Sequence, residues 1–344
     1  MNKIIRIGMD TSKSVFQVHG VDAAENAILR KRLRRSQVLE FFAKLAPMKI
    51  GVEACGAAHH WARELNALGH EVVLLPPQYV KPYVKRGKND AADAEAICEA
   101  MSRPTMRFVP VKGAEQQAAQ MLIGLRESLV RRRTQLSNAI RGHAAEFGLT
   151  AAKGLAKIEP LLARIAQDER LPALAKDLFR TLAEEYARLD AQLQKIEAKL
   201  MAWHRDNELS RRLAQVPSIG PVIATVMAIK VSDPKAFRSG RDFAAWIGLT
   251  PKDHSTAGRT RQGVITRAGD EMLRSMLVVG AMALIQQVKR GRGHPSPWLV
   301  ELLKRKKLKL AAVALANKTA RIAWKLMVSG ERYMPPRLMA SALA

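Results

Sequence analysis

The sequence predicts an α/β domain over residues 1–112, a long antiparallel helical arm with a coiled-coil seam over 113–205, and a mostly α C-terminal domain over 206–344. Three observations carry this prediction. Short apolar runs alternate with helical patterns up to about residue 110, and apolar residues at spacings of three and four dominate the middle of the chain. Helical segments joined by Gly- and Pro-bearing turns fill the rest.

Residues 3–10, about 14–20 and about 26–33 read as short strands, with turn signals at Thr11-Ser12-Lys13 and around Asp22 to Glu25. A meander is the natural outcome. Ser36 is placed to cap a helix through Lys44, ahead of a strand at 49–53, a helix at about 58–68 ended by Gly69, and a strand from Glu71 to Leu75. Strands and helices in alternation imply parallel pairing. Pro76-Pro77 stops the last strand, and the segment to Asn89 reads as a basic loop. Asn89 fits the N-cap of an alanine-rich helix over 90–102, which Pro104 ends.

Two long helical patterns follow, joined by a broken connection from Gly142 to Pro160. In the second, Phe179, Leu182, Tyr186, Leu189, Leu193, Ile196, Leu200 and Trp203 form the seam. The partner stretch at 116–141 is patterned less strictly, so an intramolecular hairpin and a dimer both stay open. The C-terminal part opens on Val216 to Ala224, where a Gly turn precedes a helix, as in helix-hairpin-helix DNA binders. Such a turn meets a phosphate through backbone N–H groups and reads no base. An ordinary capped helix pair fits the same residues. Phe243 to Pro251, a polar Gly-rich loop from Lys252 to Gly269, an apolar helix at about 270–288 and a basic stretch from Lys304 to Lys309 complete the chain.

Composition constrains the partner. The chain carries 57 Lys and Arg against 31 Asp and Glu, a formal charge of +26 with a pI near 10.6. A polyanion is expected to bind it. Residues 206–344 hold 24 basic and 9 acidic side chains, so this part supplies +15. The two cysteines, Cys55 and Cys98, offer neither a disulfide framework nor a metal-ligand spacing, as suits a reducing cytosol. With no run of about eighteen apolar residues and no signal-peptide profile, the expectation is a cytoplasmic, nucleoid-associated protein with no membrane partner.

Against that positive background, four acids stand out. Asp10 ends one apolar run, Glu53 ends another, and Asp90 with Asp93 opens a helix at a spacing that shares one face. Asp10 and Glu53 would then lie at the carboxyl ends of neighbouring strands, where open sheets build sites. An enzyme of the RNase H/RuvC type places its metal ligands in this order. Two divalent ions held by such acids neutralise charge on the attacking and leaving oxygens of a phosphodiester, and hard ions such as Mg2+, with Mn2+ as a substitute, prefer carboxylate oxygens. Two plainer readings remain: Asp90 and Asp93 also suit the helix macrodipole, and Asp10 alone also suits a turn.

The segments Gly8-Met9-Asp10-Thr11-Ser12-Lys13, Val52-Glu53-Ala54-Cys55-Gly56 and Lys88-Asn89-Asp90-Ala91-Ala92-Asp93-Ala94 resemble the DEDD domain of insertion-sequence transposases of the IS-one-ten family, kin to pilin-gene DNA invertases. The run from Val216 to Leu284, including Phe243 to Pro251 and Arg267-Ala268-Gly269-Asp270, is similar to that family's second domain. The resemblance implies a recombinase that excises and inserts a mobile element, guided by a structured RNA from the element's flank. It also implies that the RuvC-like acids bind Mg2+ and that a serine of the second domain attacks DNA to form a phosphoserine link. The matching loop is His254-Ser255-Thr256-Ala257-Gly258, which makes Ser255 the nucleophile, with Thr256 in the role if the alignment shifts. His254 stands beside it as a candidate base. From the residues alone, Ser255 would read as an ordinary loop serine.

For contact with nucleic acid the sequence offers Lys81, Lys85, Arg86 and Lys88 ahead of the acidic helix, and Arg259, Arg261 and Arg267 around the serine loop. Arg131-Arg132-Arg133 and Arg30 to Arg35 are further candidates for backbone binding. The expected partners are double-stranded DNA at element ends and target, a guide RNA, and further copies of the chain in a dimer or tetramer. Two other function classes fit the composition: a structure-specific nuclease that uses activated water, as a junction resolvase does, and a non-enzymatic RNA or DNA binder with structural acids.

Overall fold

The computed structural model describes residues 3–85, 89–256, 259, 261–292 and 295–335. The chain divides into two compact units, Met1–Gln117 and Ala118–Ala344.

In the first unit, Arg6–Asp10 (β1), Val15–Val21 (β2) and Ala27–Arg34 (β3) form the antiparallel meander. Lys49–Glu53 (β4) pairs in parallel with β1, and Glu71–Leu75 (β5) with β4, giving the order β3-β2-β1-β4-β5. Side chains alternate between the two faces of a strand, and the sequence uses that alternation. Ile7, Met9, Phe16, Val18, Ile50 and Val52 enter a core beneath Val38–Ala43 (α1) and Ala58–Ala67 (α2). Ser36 does not cap α1. It sits in a 3-10 turn, Arg35–Gln37, where the Gln37 side chain accepts the Arg34 N–H at 2.9 Å.

The segment expected to be a basic loop is partly helical: Pro77–Val80 forms a short helix (α3) and Lys81–Tyr83 a 3-10 turn. Proline is tolerated at the first helical position because its missing N–H would have no partner there. Asp90–Ala100 (α4) follows, capped by Asn89, whose side chain accepts the Ala92 N–H at 2.8 Å. It covers the other face of the sheet. A Cβ at Gly8 would stand 2.2 Å from the Ala94 carbonyl oxygen and 2.5 Å from the Cys98 nitrogen, so α4 rests on the bare backbone of β1.

In the second unit, Ala114–Glu146 (α5), whose first residues belong to the first unit, and Ala173–Asp206 (α7) run antiparallel, with Ile158–Gln167 (α6) packed between their far ends. Arg126 bonds Glu197 at 2.8 Å and Arg133 bonds Asp190, so seven steps forward on α5 match seven back on α7. Leu129, Leu189 and Leu193 pack together, and Ile140, Ile158, Leu161, Phe179 and Tyr186 form a second cluster. This pairing lies within one chain. The helix α6 occupies part of the stretch from Gly142 onward that the sequence suggested was only a connection.

The remaining helices, Glu208–Leu213 (α8), Pro221–Lys230 (α9), Gly240–Ile247 (α10), Glu271–Lys289 (α11), Pro297–Arg305 (α12) and Leu308–Ser329 (α13), share a core around Leu213, Val226, Phe243, Leu277 and Ala316. The turn between α8 and α9 has Ser218 at φ 74, and its hydroxyl lies 3.0 Å from Thr319 Oγ1. By length and composition α11 could cross a membrane, which the sequence pattern had not suggested, but Leu273, Leu277, Ala281 and Ile285 place one of its faces in this core. The Gly-rich loop holds a two-stranded hairpin, Pro251–Asp253 (β6) and Gln262–Ile265 (β7).

Candidate metal centre and serine hairpin

Asp10 and Glu53 end the parallel neighbours β1 and β4, on the face that α4 covers. Thr11 Oγ1 lies 3.2 Å from Cys55 Sγ, tying together the loops that leave the two strands. Asp90 and Asp93 come from the first turn of α4, whose seat on Gly8 carries them over the end of β1. Carboxylate oxygens of Asp10, Asp90 and Asp93 all lie within 4.8 Å of one another. Glu53 stands outside that trio but feels it.

The electrostatics follow from this crowding. Burial, then the charges of Asp93 and Asp90, push the Asp10 carboxyl up to about 6, against a smaller opposing pull from the Thr11 backbone N–H. Glu53 is raised by burial and by Asp93. Among the described residues, none of the four acids has a Lys, Arg or His ion pair, and the nearby Lys85 bonds Glu95 at 2.6 Å. Like-charged oxygens brought together without a protein cation fit a divalent ion, and an all-carboxylate set suits Mg2+ or Mn2+.

The serine loop is built by local hydrogen bonds. The Ser255 N–H donates to Asp253 Oδ1 at 2.9 Å, and Ser255 Oγ accepts the Arg261 N–H at 3.0 Å. Bonds from the Ser255 hydroxyl and N–H hold the Asp253 carboxyl below its ordinary range. The His254 ring faces the other way: a Cβ at Gly263 would lie 3.0 Å from it. Asp253, which the sequence pattern did not single out, is therefore the acceptor beside Ser255. The signal was present, since an Asp side chain readily accepts the backbone N–H two residues on, but the end of β6 at Asp253 was not recognised. Thr256 bridges to Arg259 through backbone bonds at the hairpin tip.

The basic residues fall into several settings. Lys81, Arg259, Arg261 and Arg267 are exposed, Arg267 at φ 56 with its N–H bonded to the Gly248 carbonyl, and Lys85 is engaged by Glu95. Arg86 and Lys88 lie outside the described residues, as do Ala257 and Gly258.

A meander-plus-parallel sheet with acids at the ends of β1 and β4 and in the first turn of the covering helix defines a DEDD-type nuclease domain, a class that works with divalent metal ions. The comparisons agree. The transposase description DEDD_Tnp_IS110 matches residues 7–148, and the description of the transposase IS116/IS110/IS902 family matches residues 210–294. A Sinorhizobium fredii protein that carries the name of a transposase is 65% identical over 97% of this chain and 86% of its own length. The transposase for insertion sequence element IS1328 of Yersinia enterocolitica is 38% identical over 96% of this chain and 98% of its own. That for IS1111A of Coxiella burnetii is 38% identical over 97% and 92%. The chain belongs to the IS116/IS110/IS902 family of transposases and is a DNA transposase.

Proposed function

We propose that the chain excises and inserts a mobile DNA element, guided by a structured RNA that the element encodes, with Asp10, Glu53, Asp90 and Asp93 holding Mg2+ and Ser255 attacking the strand. The observation that carries the metal half is the convergence of three carboxylates from β1 and α4 within 4.8 Å. When bound there, the ion would neutralise charge on the phosphate. We assign the metal domain to residues 1–112, the helical arm to 113–205 and the serine-bearing domain to 206–344, acting in the cytoplasm at the nucleoid.

For the serine step, the Oγ–phosphorus bond forms as one phosphorus–oxygen bond of the backbone breaks, and the leaving sugar oxygen takes a proton. Asp253 holds the hydroxyl and receives its proton, and Arg261 steadies Oγ through its backbone N–H. Ser255 and the RNA guide rest on resemblance to the family. Assembly into a dimer or tetramer belongs to the same reading.

The test is denaturing electrophoresis of the protein after incubation with element-end DNA, Mg2+ and the RNA transcribed from the element's flank. A covalent protein–DNA band that vanishes in Ser255→Ala supports the serine role. Cut DNA with no covalent band points to a water-using nuclease instead. Sequencing of copurified RNA tests the guide: recovery of flank-derived transcripts supports it, and their absence from active protein counts against it.

A further inference from the structure

The edge strand β3 carries arginine at positions 30, 32 and 34. Alternation decides where these point. Leu33 is buried in the core beneath α1 and α2, Leu29 packs against that core, and Lys31 stands over the Phe41 ring at 4.9 Å. Arg30, Arg32 and Arg34 therefore belong to the opposite face, the one that bears Asp10.

The register ties this row to the acids. Asp10 pairs with Gln17 and Gln17 with Arg32, while His19, beside Gln17 on the same face, pairs with Arg30. Arg32 thus sits two strand spacings, about 10 Å, from Asp10. A cleft of about 320 Å³ lies between this row and the first turn of α4, lined by Gln17, His19, Arg30, Arg32, Asn89 and Ala92. Glu95 also borders the cleft, but Lys85 engages it at 2.6 Å. Among the described residues, Arg30, Arg32 and Arg34 make no ion pair. All three are exposed.

Alternate positions on a strand repeat about every 6.7 Å, close to the distance between successive phosphates of one nucleic-acid strand. Guanidinium groups suit phosphate geometry. We infer that this arginine row is a docking track for the DNA strand that enters the metal centre, binding its phosphates just beyond the bond to be broken. DNA is the occupant because the chain is a DNA transposase and the row runs alongside the strand that ends in Asp10, with Arg32 level with that carboxylate across β2. This inference rests on the metal-centre reading for the purpose of the track, though its binding test does not.

The experiment measures affinity for element-end DNA, and for an RNA of the same sequence, across a salt series in metal-free buffer. Removing one neutralised phosphate lowers the slope of log affinity against log salt by about 0.7 to 0.9. The triple change Arg30→Gln, Arg32→Gln, Arg34→Gln should lower the DNA slope by about two to three. The triple change to Lys should keep it, and Lys31→Gln, on the other face, should leave it unchanged. An unaltered DNA slope in the Gln triple overturns the track, as does a fall confined to RNA or an equal fall in Lys31→Gln. A melting curve matching the parent's excludes loss of fold, and if the Gln triple is unstable the single change Arg32→Gln repeats the test, with an expected fall of about 0.7 to 0.9 in the DNA slope and an unaltered slope overturning the track. Asp10→Asn separates the two readings: retained strand cutting would sink the metal centre while leaving the slopes as they are.

Discussion

At the scale of single residues, the crowded carboxylates set a sign for pH. The folded chain holds a proton on Asp10 that the unfolded chain loses, because burial and the neighbouring acids raise that carboxyl from 3.8 to about 6. The contribution of Asp10 to stability therefore falls as pH rises between those values and stays lost above them. In metal-free protein the melting temperature should decline across that window, and Asp10→Asn should remove this part of the decline. Added Mg2+ should raise the melting temperature of the parent above pH 6, because a ligand of the folded state alone stabilises it. A rise of the same size in Asp10→Asn and Asp93→Asn would contradict the assignment. At the hairpin, Asp253→Asn keeps the shape of the side chain but removes the charge that would take the serine proton in the proposed reaction. Covalent capture of DNA should slow by roughly a hundredfold, with DNA binding unchanged, and single-turnover rates would read this directly. The places of the four acids, at two strand ends and in the first turn of a capped helix, were legible because strand ends and an Asn cap announce themselves locally. Asp253 was not, since Pro251-Lys252-Asp253 shows no apolar alternation and so hid the strand that aims it.

At the scale of elements, the pairing of α5 with α7 converts a sequence pattern into an energy. Leu193 is 1% exposed, and Leu193→Ala should cost about 2–5 kcal/mol of stability. Leu178, at 55% exposed on the same helix, should cost no more than about 0.5 kcal/mol when changed to Ala. Denaturant unfolding of the two variants checks the contrast, and similar destabilisation would mean that the seam is not where α7 is held. The apolar spacing on α7 was readable, and Phe179, Tyr186, Leu189, Leu193 and Leu200 of that pattern are buried, whereas α6 was not read, because Pro160 looked like a break. In fact it occupies the first turn of that helix, where a missing N–H leaves no intrahelical bond unmade. The same exception hid α3, with Pro77 at its first position.

For the whole molecule, a charge of +26 predicts DNA binding dominated by phosphates. With about 6–10 phosphates neutralised, affinity should drop by about 10³- to 10⁵-fold between about 50 and 200 mM salt. Titrations in that range test it, and an affinity indifferent to salt would require interactions of another kind. Composition revealed the polyanion at once, but it could not reveal how the charge is arranged. That needed the strand register, which pairs Gln17 with both Asp10 and Arg32.

The close approach at Gly8 has one more consequence. Because peptide meets peptide there, the separation between the aspartate of the strand and those of the helix is gauged by covalent dimensions that do not vary with side-chain choice. One added carbon at this position would act as a shim, lifting the helix and with it the carboxylates of Asp90 and Asp93 away from Asp10.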